Sequence, residues 1–341
     1  MFTFYTIITS LILIISCKTQ SPNSAPVGTE NNVVVKPKLK RNFLEEIQQG
    51  NQYAKDGLLQ EAIRSYAKVL KKNKGHLLAH RNIGIVYVKA GDYQKAIKHL
   101  TKSLNTFKED FEANYYLAEA LRARRKMGKA IYRYNKSLEI SPHDLETQLA
   151  LSWSYYKIHA YKDALRVAYK ARKKNRSNIQ LTIITARILI KIGKYQKALR
   201  VISKSMPLAK KIEVPLLKSV EGDIWLAMKE CDKAVLSFRH ALKEQPLLAG
   251  SLLGLGKCLA KDVSKSEKAL IYLHRAMRIK PQLTEGYYHI ARLYEDSDKK
   301  LSHKYYKRFA MRAKSNPELN TRVSEVLVKL KEWDSNVEEN N

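Results

Sequence analysis

Short and bulky side chains recur along this chain at a fixed interval. Ala62, Ala96, Ala130, Ala164 and Ala198 stand 34 residues apart, and the series continues to Ala234 and Ala269 once two extra residues before 215 and one in the seventh interval are allowed for. With these alanines as position 20 of a unit, position 8 carries Gly50, Gly84, Ala118, Ser152, Ala186, Gly222, Gly256 and Ala291. Position 27 is also mostly small, as in Ser103, Ser137, Ala171 and Ala276, with Val69 the largest. Position 11 is bulky (Tyr53, Tyr87, Leu121, Tyr155, Trp225), and so is position 24 (Tyr66, Leu100, Tyr134, Phe238). The stretches GDYQKAIKHL (91–100) and GKYQKALRVI (193–202), three intervals apart, are near copies.

A period of this kind predicts a stack of paired helices, A and B, one pair per interval. Two helices approach closely only where side chains are short, so positions 8 and 20 mark where A crosses B, and the residues at 11 and 24 fill the volume beside the crossing. Gly57, Gly91 and Gly193 supply the A–B turn, where left-handed backbone is cheap for glycine. Pro142, Pro246 and Pro281 stop helix B. The expected units are 43–76, 77–110, 111–144, 145–178, 179–214, 215–248, 249–283 and 284–316; the eighth is degraded, with His303 where the others have alanine. Beyond Pro317, Leu319, Val323, Val326, Leu327, Leu330 and Trp333 fall on one helical face, which predicts a capping helix over 317–334 and a frayed tail at 335–341. Pro207 and Pro215, with two extra residues between Ser205 and Leu216, predict a longer connection or a local bend.

Small residues at 8, 20 and 27 with proline at 32 resemble the tetratricopeptide repeat. The resemblance covers residues 43–316 and implies an all-α fold, an α-solenoid coiled as a right-handed superhelix of about eight helix-turn-helix repeats with a C-terminal capping helix. It departs from the family at position 4, often tryptophan there and here Glu46, His80, Asn114, Gln148, Thr182, Lys218, Leu252 and Tyr287.

The start of the chain reads differently. MFTFYTIITSLILIISC (1–17) has an apolar run from Ile7 to Ile15 ending at Ser16 and Cys17, the composition of a secretory signal. Ile14-Ile15-Ser16-Cys17 further resembles a bacterial lipobox, which implies cleavage before Cys17, acylation of that residue and attachment to a membrane of the cell envelope. About 15 apolar residues would make a helix of about 22 Å, short of the roughly 30 Å of a hydrocarbon core, which counts against a transmembrane anchor. The leader departs from a signal peptide in having no Lys or Arg before Cys17. Residues 18–42 mix Ser, Asn, Pro and Thr without a helical or strand period and read as a disordered tether.

In the tetratricopeptide family, helix A lines the concave groove of the superhelix, and positions 2, 5, 9, 12 and 13 face it. Carried over by register, this places Arg81, Ile85 and Lys89 of the second unit in the groove, and Tyr115, Glu119 and Arg122 of the third. The fourth unit adds Leu149, Trp153, Tyr156 and Lys157, and the fifth Arg187 and Lys191. The wall continues with Lys257, Lys261, Tyr288, Arg292 and Glu295. Trp153 and Tyr156 lie on neighbouring turns, so both rings can meet one ligand, and aromatics flanked by Arg and Lys are the usual make-up of a binding hot spot. The competing expectation is that Trp153 packs against the next helix A. The Lys/Asn pattern with which some members of the family grip a terminal carboxylate is absent, since Ile47, Asn51, Ile85, Tyr115 and Glu119 hold those places.

The net charge of +31, of which +30 falls on residues 43–333, favours acidic partners such as an acidic peptide, anionic lipid, wall polymer or nucleic acid. Lysines spread over solvent positions, among them Lys71, Lys72, Lys173 and Lys174, equally suit a solvated convex face. No phosphate loop or nucleophile elbow occurs, the nine histidines are scattered, and no cofactor or metal is expected. Cys231 and Cys258 read as packed thiols, with a disulfide neither required nor excluded. The expectation is a membrane-anchored, non-catalytic scaffold holding an envelope protein or peptide in its groove. Family members with such anchors assemble secretins, outer-membrane proteins or transporter complexes. The alternative is a basic solenoid that binds nucleic acid or another polyanion.

Overall fold

In the computed structural model of the chain, residues 38–314 and 316–338 are described. Two compact units divide it after Glu45: Met1–Glu45, whose described part is the opening of one helix, and Glu46–Asn341. Cys17, the leader and residues 18–37 lie outside the described residues.

The described residues form seventeen α-helices and no strand, and the fold is the expected α-solenoid. The helices run in A–B pairs: α1 (Lys38–Lys55) with α2 (Leu59–Lys72), α3 (Leu77–Lys89) with α4 (Tyr93–Thr106), α5 (Phe111–Ala123) with α6 (Met127–Ile140), and α7 (Leu145–Lys157) with α8 (Tyr161–Lys174). The pairs continue as α9 (Ile179–Lys191) with α10 (Tyr195–Ser205), α11 (Val214–Ala227) with α12 (Cys231–Glu244), α13 (Ala249–Leu259) with α14 (Ser266–Ile279), and α15 (Thr284–Leu293) with α16 (Lys299–Ala313). Helix α17 (Asn320–Glu338) closes the stack. Helix α1 begins inside the stretch expected to be a tether, and α17 runs past the expected end at 334.

The size pattern in the sequence has a direct steric cause. All seven position-20 alanines are completely buried. A Cβ added to Gly84 would stand 2.6 Å from Leu100, one on Gly222 would stand 2.5 Å from Phe238, and one on Gly256 would stand 2.7 Å from Leu273. The bulky position-24 side chain of helix B thus lies over position 8 of its own helix A, and no larger residue fits beneath it.

Each unit also caps the next. The side chains of His76, Asp110, Asp144 and Asn178, all at position 34, accept from the backbone N–H three residues on and start α3, α5, α7 and α9. Helix A ends in the same way six times over. Leu58, Asp92, Lys126, Ala160, Lys194 and Glu230 return their N–H to the carbonyl five residues back. The intervening residue is left-handed, being Gly57, Gly91 or Gly193 in three units and Arg125, His159 or Lys229 in the others.

Helix B of the eighth unit is in register one residue earlier than the counting predicts, while Ala291 of helix A keeps its counted place. Ser302, not His303, takes the buried alanine's place, with no exposed surface and its hydroxyl donating to Ala291 O at 2.8 Å. Ser152 makes the same bond to Ala164 O at 3.0 Å from the other side of its crossing. In the cap, Leu319, Val326 and Leu330 are buried and Val323 and Trp333 pack on the last core cluster, but Leu327 points outward. The 206–213 connection is two short 3-10 turns, Met206–Leu208 and Lys211–Glu213, held to the next helix pair where Gln245 Nε2 donates to Ile212 O at 2.9 Å.

Candidate functional site

Adjacent A helices touch one another, α3 with α5, α7 with α9, α9 with α11 and α11 with α13, whereas no comparable contact joins adjacent B helices among the described residues. A ribbon whose A edge is the tighter curves towards that edge, so the A helices form the inner wall.

The register positions fall on that wall with different neighbours. At its N-terminal end Asn51, Tyr66, Arg81, Asn82, Ile85 and Lys89 line a hollow of about 390 Å³. Asn51 Oδ1 there accepts from Tyr66 OH at 2.7 Å and from Asn82 Nδ2 at 2.8 Å. Arg81 is paired with Asp110 at 3.1 Å and with Glu112. In the third unit Glu119 is bonded to Arg122 and to Tyr134 OH, so two of the expected groove residues neutralise each other. Tyr115 is packed against the core cluster of α4–α8, as is Ile85, and burial pushes the Tyr115 hydroxyl pKa up.

The fourth and fifth units differ. Trp153 and Tyr156 are half-buried, meet edge to face at 5.5 Å between centroids, and pack with Leu149 on the buried residues of α8 and α9. Burial raises the Tyr156 hydroxyl pKa, while Lys191 and Arg187 act to lower it. The Arg187 guanidinium stands over the Trp153 ring at 5.6 Å. The indole therefore packs against the next helix pair, the competing expectation, and also carries the Arg187 guanidinium over its ring. Arg187 and Lys157 are exposed and make no ion pair among the described residues. The same is true of Lys89 and Arg292 further along the wall. Lys191 is held by a carboxylate of the chain itself, Glu318, at 2.6 Å.

Beyond the fifth unit lie groups that the register mapping passed over. Asp223 occupies position 9 between Arg187 and Lys257. Burial in the wall pushes its carboxyl up to about 6, with those two cations pulling it back down. Lys257 bonds Glu285 at 3.0 Å, and Glu285 also receives Arg322 of α17 at 3.0 Å. Burial works to raise Glu285, yet Lys257 and Arg322 hold it down at about 2. Arg322 also covers the Tyr288 ring at 5.3 Å. Lys257 and Arg322 are thus spent on Glu285, whereas the exposed cations Arg187 and Lys157, unpaired among the described residues, stand beside Trp153 and Tyr156. The signal for Asp223 was its register with Arg187 and Lys257; for Glu318 and Arg322 the sequence offered none.

Among the described residues no helix is long and apolar enough to cross a membrane, and no three His, Cys, Asp or Glu side chains are grouped so as to hold a metal ion. Cys231 and Cys258 are free thiols in one core cluster, and burial with the neighbouring Cys231 pushes Cys258 up to about 12.

Residues 47–106 and 82–144 match the family model described as tetratricopeptide repeat, and residues 123–205 match the one described as anaphase-promoting complex, cyclosome, subunit 3. No curated protein matches the chain. A tetratricopeptide repeat protein from Parabacteroides merdae ATCC 43184 is similar at 16% identity over 79% of this chain and 99% of its own, with a TM-score of 0.61. Yeast Tom70 is 16% identical over 91% of this chain and 68% of its own, with a TM-score of 0.59. The Cut9–Hcn1 hetero-tetramer of the APC/C is 14% identical over 86% of this chain and 57% of its own, with a TM-score of 0.57. At such identities the likeness is one of fold. The chain carries tetratricopeptide repeats and folds as their α-solenoid, an architecture typical of protein–protein interaction.

Proposed function

We propose that this protein is a non-catalytic scaffold that holds a protein or peptide against the concave wall of its solenoid, tethered by acyl chains on Cys17 to a membrane of the bacterial cell envelope, where it assembles or stabilises a complex. The observation that carries the binding reading is the cluster at the fourth and fifth units. Two half-buried rings, Trp153 and Tyr156, stand beside the exposed cations Arg187 and Lys157, which have no ion-pair partner among the described residues. Rigid aromatic surface beside unspent charge is what a binding hot spot requires, because it buries area at low entropic cost and leaves cations free for a partner's acids. An acidic segment is the complementary partner.

Anchoring rests on the Ile14-Ile15-Ser16-Cys17 stretch and on the polar run that follows it. Two or more acyl chains hold a protein durably where one does not. Metabolic labelling with a palmitate analogue is the test: label in the membrane fraction, lost in Cys17→Ala, supports the anchor, and an unlabelled cytosolic protein contradicts it. For the groove, Arg187→Ala combined with Trp153→Ala is expected to abolish partner co-purification, while Arg166→Ala on a B helix leaves it intact. Equal loss from both, or a partner that nuclease treatment removes, would favour a general polyanion binder.

A further inference from the structure

Glu318 sits in the short turn Pro317–Leu319 ahead of α17, yet its side chain ends among residues of the fourth and fifth units. One carboxylate oxygen accepts from Lys191 Nζ at 2.6 Å. The other accepts from Tyr161 OH at 2.9 Å and stands 3.3 Å from His159 Nδ1. His159 and Tyr161 are themselves 2.7 Å apart, Nδ1 to OH, and the Tyr161 ring lies 5.7 Å from that of Tyr156. Burial works to raise the Glu318 carboxyl, but the bonds from Lys191 and Tyr161 prevail and keep it below the usual carboxylate range.

Two donors on two helix pairs, Lys191 Nζ and Tyr161 OH, therefore converge on one planar, two-oxygen acceptor, and His159 Nδ1, donating to the Tyr161 oxygen, orients that hydroxyl towards it. His159 holds this place from a left-handed backbone, φ 62°, at the turn position where three other units use glycine. The occupant comes from 127 and 157 residues away in sequence, so this is not local capping. It is also only partly covered, since the side chains of Lys191, His159 and Glu318 retain 34%, 41% and 36% exposure. An ion pair this open is weak and readily exchanged for another carboxylate.

We propose that His159, Tyr161 and Lys191 form a carboxylate-binding site at the edge of the groove, and that Glu318 fills it as an internal stand-in for an Asp or Glu side chain of the acidic peptide the groove takes. The proposal rests on the groove reading and names the chemistry of its partner. When such a peptide arrives, its carboxylate accepts the bonds of Lys191 and Tyr161, Glu318 turns out to water, and the peptide chain runs on past Tyr156 and Trp153 towards Arg187 and Lys157. Until then Glu318 competes at high effective concentration and lowers apparent affinity.

The test uses the full chain and a fluorescent hexaglutamate peptide, read by anisotropy at low salt. Glu318→Gln, which removes the competing charge from the site, is expected to tighten binding about fivefold. Adding Lys191→Gln or Tyr161→Phe to that variant is expected to weaken it about tenfold, the effect of losing one charge-assisted bond, while adding Lys157→Gln has the smaller effect of a nearby charge. Unchanged circular dichroism and melting temperature confirm that each variant is folded. The proposal is overturned if Glu318→Gln leaves the affinity unchanged, if no variant binds the peptide, or if Lys157→Gln weakens binding as much as Lys191→Gln. It is overturned in favour of a lipid site if Glu318→Gln tightens binding to phosphatidylglycerol vesicles and not to the peptide. Binding that ignores Glu318, Tyr161 and Lys191 but still falls with Arg187→Gln would sink this site and leave the groove standing; binding that ignores all four would sink both.

Discussion

Gly250→Ala and Gly254→Ala are the same chemical change on one helix, α13, and the packing gives them opposite signs. A Cβ on Gly250 meets no atom within 4 Å, whereas one on Gly254 would lie 2.5 Å from Phe238 Cε2 and nearer still to Cζ. The ring cannot retreat, because Phe238 is fully buried and Gly222 faces its other side, where a Cβ would stand 2.5 Å from Cε1. Alanine in a helix interior gains up to about 1 kcal/mol over glycine, and less in the first turn where Gly250 lies. Overpacking a well-filled core costs about 1–3 kcal/mol, and a ring pinned on both sides belongs at the upper end. Gly250→Ala should therefore gain a few tenths of a kcal/mol, and Gly254→Ala should lose about 2 kcal/mol net. Stability in a repeat stack is local, so urea unfolding followed by circular dichroism should be paired with hydrogen exchange in α11–α13. Phe238→Leu in the Gly254→Ala background should recover part of the loss, with a coupling above about 1 kcal/mol. If Gly254→Ala is as benign as Gly250→Ala, the steric account of the packing around Phe238 is wrong.

Two further outcomes follow from the same contacts. His80 Nε2 lies 2.9 Å from Lys74 O and must donate to it, so His80 Nδ1 accepts from His99 Nδ1 at 2.8 Å, and a second proton on His80 would break the pair. Burial and His80 push His99 down to about 4, below its value of 6.5 in an unfolded chain. The unfolded chain then binds more protons, so stability is complete above pH about 6.5 and falls towards pH 4, by on the order of 2 kcal/mol once partial exposure is discounted. His99→Gln should flatten that slope in urea titrations across pH 4–7, and an unchanged slope would remove the pair from the account. Trp153→Ala should cost about 2 kcal/mol in thermal unfolding, half the loss of a fully buried indole, while Arg187→Ala costs under about 1 kcal/mol. Equal losses would mean that the indole does not pack on α8 and α9.

The repeat was legible because steric exclusion is written in residue size: only a short side chain fits under Leu100 or Phe238, so the spacing of glycine and alanine carries the helix crossings. Left-handed turns were legible only where glycine made them cheap. At Arg125, His159 and Lys229 the closing bonds of the helix end override a penalty of about 1 kcal/mol, and residue type gives no sign of it. Counting by 34 misplaced the eighth crossing by one, because Ser302 replaces alanine there and a serine is not conspicuous in a polar stretch. For the groove, register identified the face but not which charges remain available. Glu119 with Arg122, and Lys257 with Glu285, are spent on each other, and Lys191 is spent on Glu318, whose approach depends on how the whole stack curves.

The central claim is that the A-helix wall around α7 and α9, and not the basic outer face, meets the partner. A photo-crosslinking amino acid placed at Arg187 in the groove, and in a second strain at Arg166 on α8, measures this in living cells. The account predicts a discrete crosslinked species from position 187 and none from 166. Adducts from 166 alone, or the same smear from both, would contradict it.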